Sequence, residues 1–177
     1  MSEVKDLNLT FSGCGFLGIY HLGVVSCLKE NAPELLKRIK CYGGASAGSF
    51  ASLALVLDLD LSESAEYVLR LAKRANSLAL GALHPSLHLV KTLRRSFEKI
   101  LPENAHEIAS GRLHISLTRM ADMKNVIVSK YWSKDDLIEV RTNPYFQYGI
   151  LFSRSSFHAN TTSFVVPDLN YSTCKMS

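Results

Sequence analysis

Ser46 is the side chain whose neighbours best fit a nucleophile. It lies at the centre of Gly44-Ala45-Ser46-Ala47-Gly48, a G-x-S-x-G segment, between the extended run Ile39 to Tyr42 and the apolar run Phe50 to Leu57. A serine on a sharp strand-to-helix turn occupies strained backbone, and glycines two before and two after it leave room where strand and helix crowd together. The turn pushes the hydroxyl into the open at a helix amino terminus, where the dipole favours developing negative charge. The same pentapeptide also suits a small-residue turn that merely lets a helix pack closely on a sheet.

A second glycine-rich segment, Gly13-Cys14-Gly15-Phe16-Leu17-Gly18, also follows a strand pattern and opens a helix pattern. Backbone amides in such a loop can cradle a pyrophosphate or donate to the oxyanion of an acyl-transfer intermediate. A dinucleotide fold needs an acidic residue about 20 positions on, closing its second strand. Here the second strand runs into Gly43-Gly44-Ala45-Ser46, and Glu34 falls inside a predicted helix. That disfavours a nicotinamide cofactor and leaves the oxyanion reading ahead. Cys14, at a helix start, fits a lowered thiol pKa or a small residue filling a tight turn.

The elements that must position these groups read as repeated strand-turn-helix units. Leu7, Leu9 and Phe11 alternate with Asn8 and Thr10 as a strand, and Ile19 to Glu30 is apolar on nearly all sides, as a helix buried on every face would be. Pro33 opens a short helix ending at Lys37 and Arg38. Adjacent βα units favour a parallel sheet, which would bring both glycine turns to one edge and make amide donors and hydroxyl converge on one pocket. Further on, Ser62 can cap a helix through Ala65, Val68, Leu69 and Ala72. Leu87 to Leu101 forms an amphipathic helix with Val90, Leu93 and Phe97 opposite Lys91, Arg94, Arg95 and Lys99. Leu113 to Thr118 and Val126 to Tyr131 form a strand pair, and Ser133 with Asp136 opens a helix to about Arg141. From Thr142 onward the pattern decays.

Composition sets the bounds. The chain has 177 residues, 47% apolar and 20% charged, with ten Gly, five Pro and a net charge of +4. This is ordinary usage for one globular domain and excludes disorder and collagen-like structure. The small charge, with the aromatics of the basic helix on its apolar side, speaks against nucleic acid as a partner. Cys14, Cys27, Cys41 and Cys174 form no C-x-x-C pair, which points to free thiols and away from a structural zinc site. From Leu7 to Leu28 there is no charged residue, but four glycines and His21 break the hydrophobicity a membrane span requires.

The order of strand, Gly13-Cys14-Gly15-Phe16-Leu17-Gly18, then Gly44-Ala45-Ser46-Ala47-Gly48 resembles the patatin-like phospholipase domain family, particularly its adipose triglyceride lipase and adiponutrin branch. Leu83-His84-Pro85-Ser86, Leu101-Pro102-Glu103 and Ser110 to Arg119 are similar to that branch as well. The resemblance runs from about Leu7 to Ile138. It implies an α/β fold, a parallel-rich sheet with helices on both faces, in residues 1–141, incomplete at its C-terminal end and followed by a divergent tail over 142–177. It implies a cytoplasmic serine hydrolase, peripherally associated with lipid droplets or membranes, that cleaves acylglycerol or phospholipid esters through a Ser-Asp dyad with neither metal nor cofactor. Carried over, Ser46 is the nucleophile, Gly44, Ala45, Ala47 and Gly48 are its elbow, and the amides of Gly13, Cys14, Gly15, Phe16, Leu17 and Gly18 are the oxyanion hole.

One part of the pattern is missing. The family's dyad aspartate sits in an Asp-Gly turn, and no Asp in this chain precedes Gly; Asp168 precedes Leu169. The expectation is a domain with little or no turnover, and the competing reading is a non-catalytic lipid-binding or regulatory protein. A Ser-His-Asp triad could draw on His84, His88, His106, His114 or His158, but only one strand precedes the strand of Ser46, fewer than α/β-hydrolases place there. Lys91, Arg94, Arg95 and Lys99 read as a solvated helix face or as a contact for anionic headgroups. His21 and His114 read as satisfied core residues, Asp58 and Asp60 as loop carboxylates, and Trp132 as core or a partly buried anchor.

Overall fold

The computed structural model describes residues 7–61, 65–66, 69–70, 72–73, 77, 89–119, 122–142 and 164–165. Strand β1 (Leu7–Phe11) leads through a 3-10 turn (Gly15–Leu17) into helix α1 (Gly18–Asn31). Helix α2 (Pro33–Lys37), strand β2 (Ile39–Ala45) and helix α3 (Ala47–Val56) follow. Helices α4 (Leu89–Ile100) and α5 (Ala105–Ala109) precede strands β3 (Leu113–Arg119) and β4 (Lys124–Val128), helix α6 (Lys134–Thr142) and a short strand β5 (Phe164–Val165). The uncharged stretch from Leu7 to Leu28 is thus a strand, a turn and part of a helix, and among the described residues no helix is long and apolar enough to cross a membrane.

The sheet order is β4-β3-β2-β1-β5. As the βα units predicted, β1 pairs parallel with β2, and β2 parallel with β3. The edge strands β4 and β5 pair antiparallel, so Phe164 and Val165, in the segment expected to be a divergent tail, pair with Thr10 and Leu9. Strand β2 runs three residues beyond Tyr42, because it is held from both sides: Gly44 is opposite Phe11 on one neighbour and Ile115 on the other. The strand thereby ends one residue before Ser46.

Pleating sends Leu9, Phe11, Tyr42, Leu113, Ile115 and Leu117 to one face, where they are buried. Helix α3 lies on that face and buries eight of its ten residues, with α1 and α5 against it. The opposite face is half-buried and polar, with Asn8, Thr10, Cys41, His114 and Ser116. His114 therefore falls outside the core the sequence assigned it to, because its register beside Gly43 turns it to this face.

Three further expectations change. Helix α1 buries only His21 and Val25, while Leu17, Tyr20 and Val24 stand exposed, because α3 covers a single seam of it. Strand β4 begins and ends earlier than predicted. Its sequel turns inward at Tyr131, whose buried hydroxyl lies 3.1 Å from Leu113 O and 3.0 Å from Val128 O. Trp132 is 86% exposed, since Tyr131 takes the inward position and the Trp132 N–H donates to Asp136 Oδ2 at the start of α6. Ser133 caps that helix as expected, accepting from Asp136 N at 3.0 Å. Of the helix predicted after Ser62, Ser62 and Val68 lie outside the described residues, as do Leu83 to Ser86.

Burial pushes the His114 ring below its ordinary pKa of 6.5. The folded chain then holds fewer protons than the unfolded chain once pH drops below that value, so its contribution is full above 6.5 and is lost on acidification. The melting temperature should fall more steeply from pH 7 to pH 5 in the parent chain than in His114→Gln; parallel curves would contradict this.

Candidate active site

Ser46 joins β2 to α3 with φ 50° and ψ −124°. These are the dihedrals of the first central residue of a type II′ turn, a region that only glycine enters without strain. The neighbouring contacts force the conformation. A Cβ on Gly44 would lie 2.5 Å from both C and O of Gly48, and a Cβ on Gly48 would collide with Phe11 O and, at 2.5 Å, with Ser12 O. Both glycines of the pentapeptide are there because backbone meets backbone. Strand and helix can approach this closely only if the chain reverses within one residue, and that residue is Ser46.

Two serines of α3, outside the pentapeptide pattern, secure the turn. Ser49 donates from both its N–H, at 2.9 Å, and its hydroxyl, at 2.7 Å, to Ser46 O. The fully buried Ser52 hydroxyl donates to Gly43 O at 2.6 Å. The signal was legible: two hydroxyls, three residues apart, within an otherwise apolar helix. The Ser46 hydroxyl itself makes no capping bond to α3, and the residue as a whole is half-buried.

The glycine loop lies beside this turn, at the same rim of the sheet. A Cβ on Gly13 would sit 3.5 Å from Ser46 Cβ and 3.4 Å from Ala45 O, and one on Gly18 would sit 3.0 Å from Ala47 Cβ. Gly15 has φ +57°, which a residue with a side chain enters only with strain. Leu17 accordingly starts exposed at the end of the 3-10 turn, and Cys14 and Phe16 are half-buried. Burial pushes the Cys14 thiol up, so it is the small filler of a turn and not a thiolate at neutral pH.

The other candidates are dispersed. Arg94 is bound to Glu98 at 3.0 Å and lies 3.9 Å from Asp135, which separates it from Lys91, Arg95 and Lys99, exposed at successive i,i+4 positions. Among the described acids, Asp58 pairs with Lys29 at 2.6 Å beyond the far end of α3, and Asp122 is clamped by Arg119, which holds its carboxyl at about 2. Asp136 accepts from Trp132 N. Asp168, His84, His88 and His158 lie outside the described residues. A polar groove of about 410 Å³ between Glu98, Glu103, His106 and Lys134 contains neither Ser46 nor the loop. Among the described residues no cluster of three or more His, Cys, Asp or Glu could hold a metal ion.

The strain at Ser46 has a measurable consequence. Ser46→Gly should raise the unfolding free energy by about 1 kcal/mol, strain relief of roughly 1–3 kcal/mol being offset by the greater freedom of glycine in the unfolded chain. Ser46→Ala keeps a Cβ in the same backbone and should stay within about 0.5 kcal/mol of the parent. Urea unfolding of the three chains measures this, and a Ser46→Gly chain less stable than Ser46→Ala would contradict it.

Comparison with known proteins gives this geometry a lineage. The model of the family described as "Patatin-like phospholipase" matches residues 9–166. Patatin-like phospholipase domain-containing protein 2 of Mus musculus is 50% identical over 132 residues, 75% of this chain and 27% of the relative. A 1-acylglycerol-3-phosphate O-acyltransferase of Mus musculus is 42% identical over 132 residues, 75% of this chain and 32% of that relative. Patatin-like phospholipase domain-containing protein 4 of Homo sapiens is 41% identical over 138 residues, 77% of this chain and 54% of the relative. The chain therefore spans between about a quarter and a half of the length of these relatives. A strained serine between two glycines, a glycine loop laid against it, and a family match over most of the chain lead to one conclusion: this chain belongs to the patatin-like phospholipase family.

Proposed function

We propose that this chain is a serine-dependent lipid acyl hydrolase domain in which Ser46 carries the acyl group. The observation that carries the reading is the Ser46 backbone, φ 50° and ψ −124°, with Gly13 against its Cβ. Strain of this kind persists where surrounding structure over-determines it and clusters at active sites. In the reaction, Ser46 Oγ bonds to the carbonyl carbon of a fatty-acyl glycerol or phospholipid ester, and the hydroxyl proton leaves to a base. The amides of Gly13 to Gly18 hold the oxyanion, the C–O bond to the glycerol oxygen breaks, and that oxygen departs protonated. Water then releases the acid. A glycerol hydroxyl in place of water would make the same acyl-enzyme a transferase, the activity in the name of one relative.

The weak point is the base. No Asp precedes Gly in the chain, and Asp58, Asp122 and Asp136 are committed to Lys29, Arg119 and Trp132 N respectively. A positioned base contributes typically 10²–10⁴-fold, so turnover should be lower by about that factor than in a relative carrying the Asp-Gly turn. The second reading, a lipid-binding or regulatory domain without turnover, rests on the same observation. Both place the protein in the cytoplasm, with peripheral contact to lipid droplets or membranes through the exposed Lys91, Arg95 and Lys99.

An active-site-directed fluorophosphonate should add a single phosphonyl group to Ser46 and nothing to Ser46→Ala. Short-chain ester hydrolysis should exceed that of Ser46→Ala by a small but measurable factor, while equal rates leave only the binding role. Each cation near an anionic surface contributes about 1 kcal/mol. Replacing Lys91, Arg95 and Lys99 by Gln should therefore reduce flotation with phosphatidylserine vesicles at low salt by about 100-fold in affinity; unchanged flotation would remove that surface from membrane contact.

A further inference from the structure

His21 is buried, as expected of a core histidine, with its ring edge-on to Phe11 at 5.2 Å and 70°. Its Nε2 lies 2.9 Å from Ser12 O. A carbonyl only accepts, so the proton of this bond belongs to Nε2. Ser12 O faces a second helix as well, since a Cβ on Gly48 would lie 2.5 Å from it. The carbonyl that opens the glycine loop is thus directed into the seam between α1 and α3.

A trans peptide is planar, with its N–H opposite its C=O, and none of the described peptides is cis. Turning Ser12 O into the seam therefore turns the Gly13 N–H out of it. Gly13 is the loop residue that lies against Ser46, and among the described residues no backbone carbonyl takes its N–H. We propose that His21 is a positioning residue: by holding Ser12 O, it aims the Gly13 N–H as an oxyanion donor beside Ser46. His21 touches neither substrate nor nucleophile. Its influence passes through one peptide plane, and the catalytic part of the proposal rests on Ser46 being the nucleophile.

The orientation can be tested apart from reactivity. In ¹⁵N spectra of the parent chain at neutral pH, the unprotonated His21 ring should carry its hydrogen on Nε2; an Nδ1–H tautomer would overturn the proposal without any variant. His21→Gln keeps a donor of similar reach and His21→Met keeps the volume alone. The Gly13 amide resonance should stay in place in His21→Gln and shift in His21→Met, while those of Leu137 and Ile138 hold in both. Fluorophosphonate labelling of Ser46 should fall about tenfold or more in His21→Met and recover in His21→Gln. A Gly13 amide indifferent to both substitutions would overturn the proposal. A parent chain that resists the reagent, with the Gly13 shifts as expected, would instead overturn the nucleophile reading and leave the orientation standing.

Discussion

The structure depends on one close approach, that of Gly48 to the end of β1. With no Cβ at Gly48, the first turn of α3 rests directly on the carbonyls of Phe11 and Ser12. Gly44 makes the complementary allowance from β2, whose Cβ position is filled by the Gly48 peptide. Between these two contacts the chain has one residue in which to reverse, and Ser46 does so at positive φ. The strain at Ser46 is therefore a consequence of packing. It is sustained by the buried face of the sheet, where Phe11, Leu113 and Ile115 lie beneath α3, and by the Ser49 and Ser52 hydroxyls fastened to backbone carbonyls.

Parallel pairing converts this local constraint into a site. Because β1 and β2 run in the same direction, their C-terminal ends reach the same rim, and the loop leaving β1 meets the turn leaving β2. An antiparallel pair would put them at opposite ends. Ligands of open α/β sheets gather at this carboxyl edge for the same reason. The groove between α4, α5 and α6 holds no strained serine and no loop of amides, so its volume says little about chemistry.

What could be read from the residues follows the same physics. The sharp turn at Ser46 and the glycine loop beside it were legible because both are written in glycines at fixed spacing, and glycine is where backbone geometry becomes visible in sequence. The parallel sheet followed from two adjacent strand-turn-helix units. Helix α1 misled: an apolar circumference implies burial on all sides, yet the helix buries only His21 and Val25, and leaves Tyr20 and Val24 exposed. Trp132 and Tyr131 illustrate a related limit, since adjacent aromatics compete for one inward position and the hydrogen bonds of the Tyr131 hydroxyl decide between them. The ion pairing of Arg94 with Glu98, one turn away on its helix, was available in the i,i+4 spacing; its approach to Asp135, from another helix, was not.

Whether Ser46 sits in a strained turn against the amides of the glycine loop can be seen in a crystal structure of the chain after prolonged reaction with a fluorophosphonate. Phosphorus should lie on Ser46 Oγ, with positive φ at that residue and the phosphonyl oxygen about 2.7–3.1 Å from amides between Gly13 and Gly18. A relaxed Ser46 with negative φ, or a phosphonyl oxygen turned to solvent away from that loop, would contradict that arrangement.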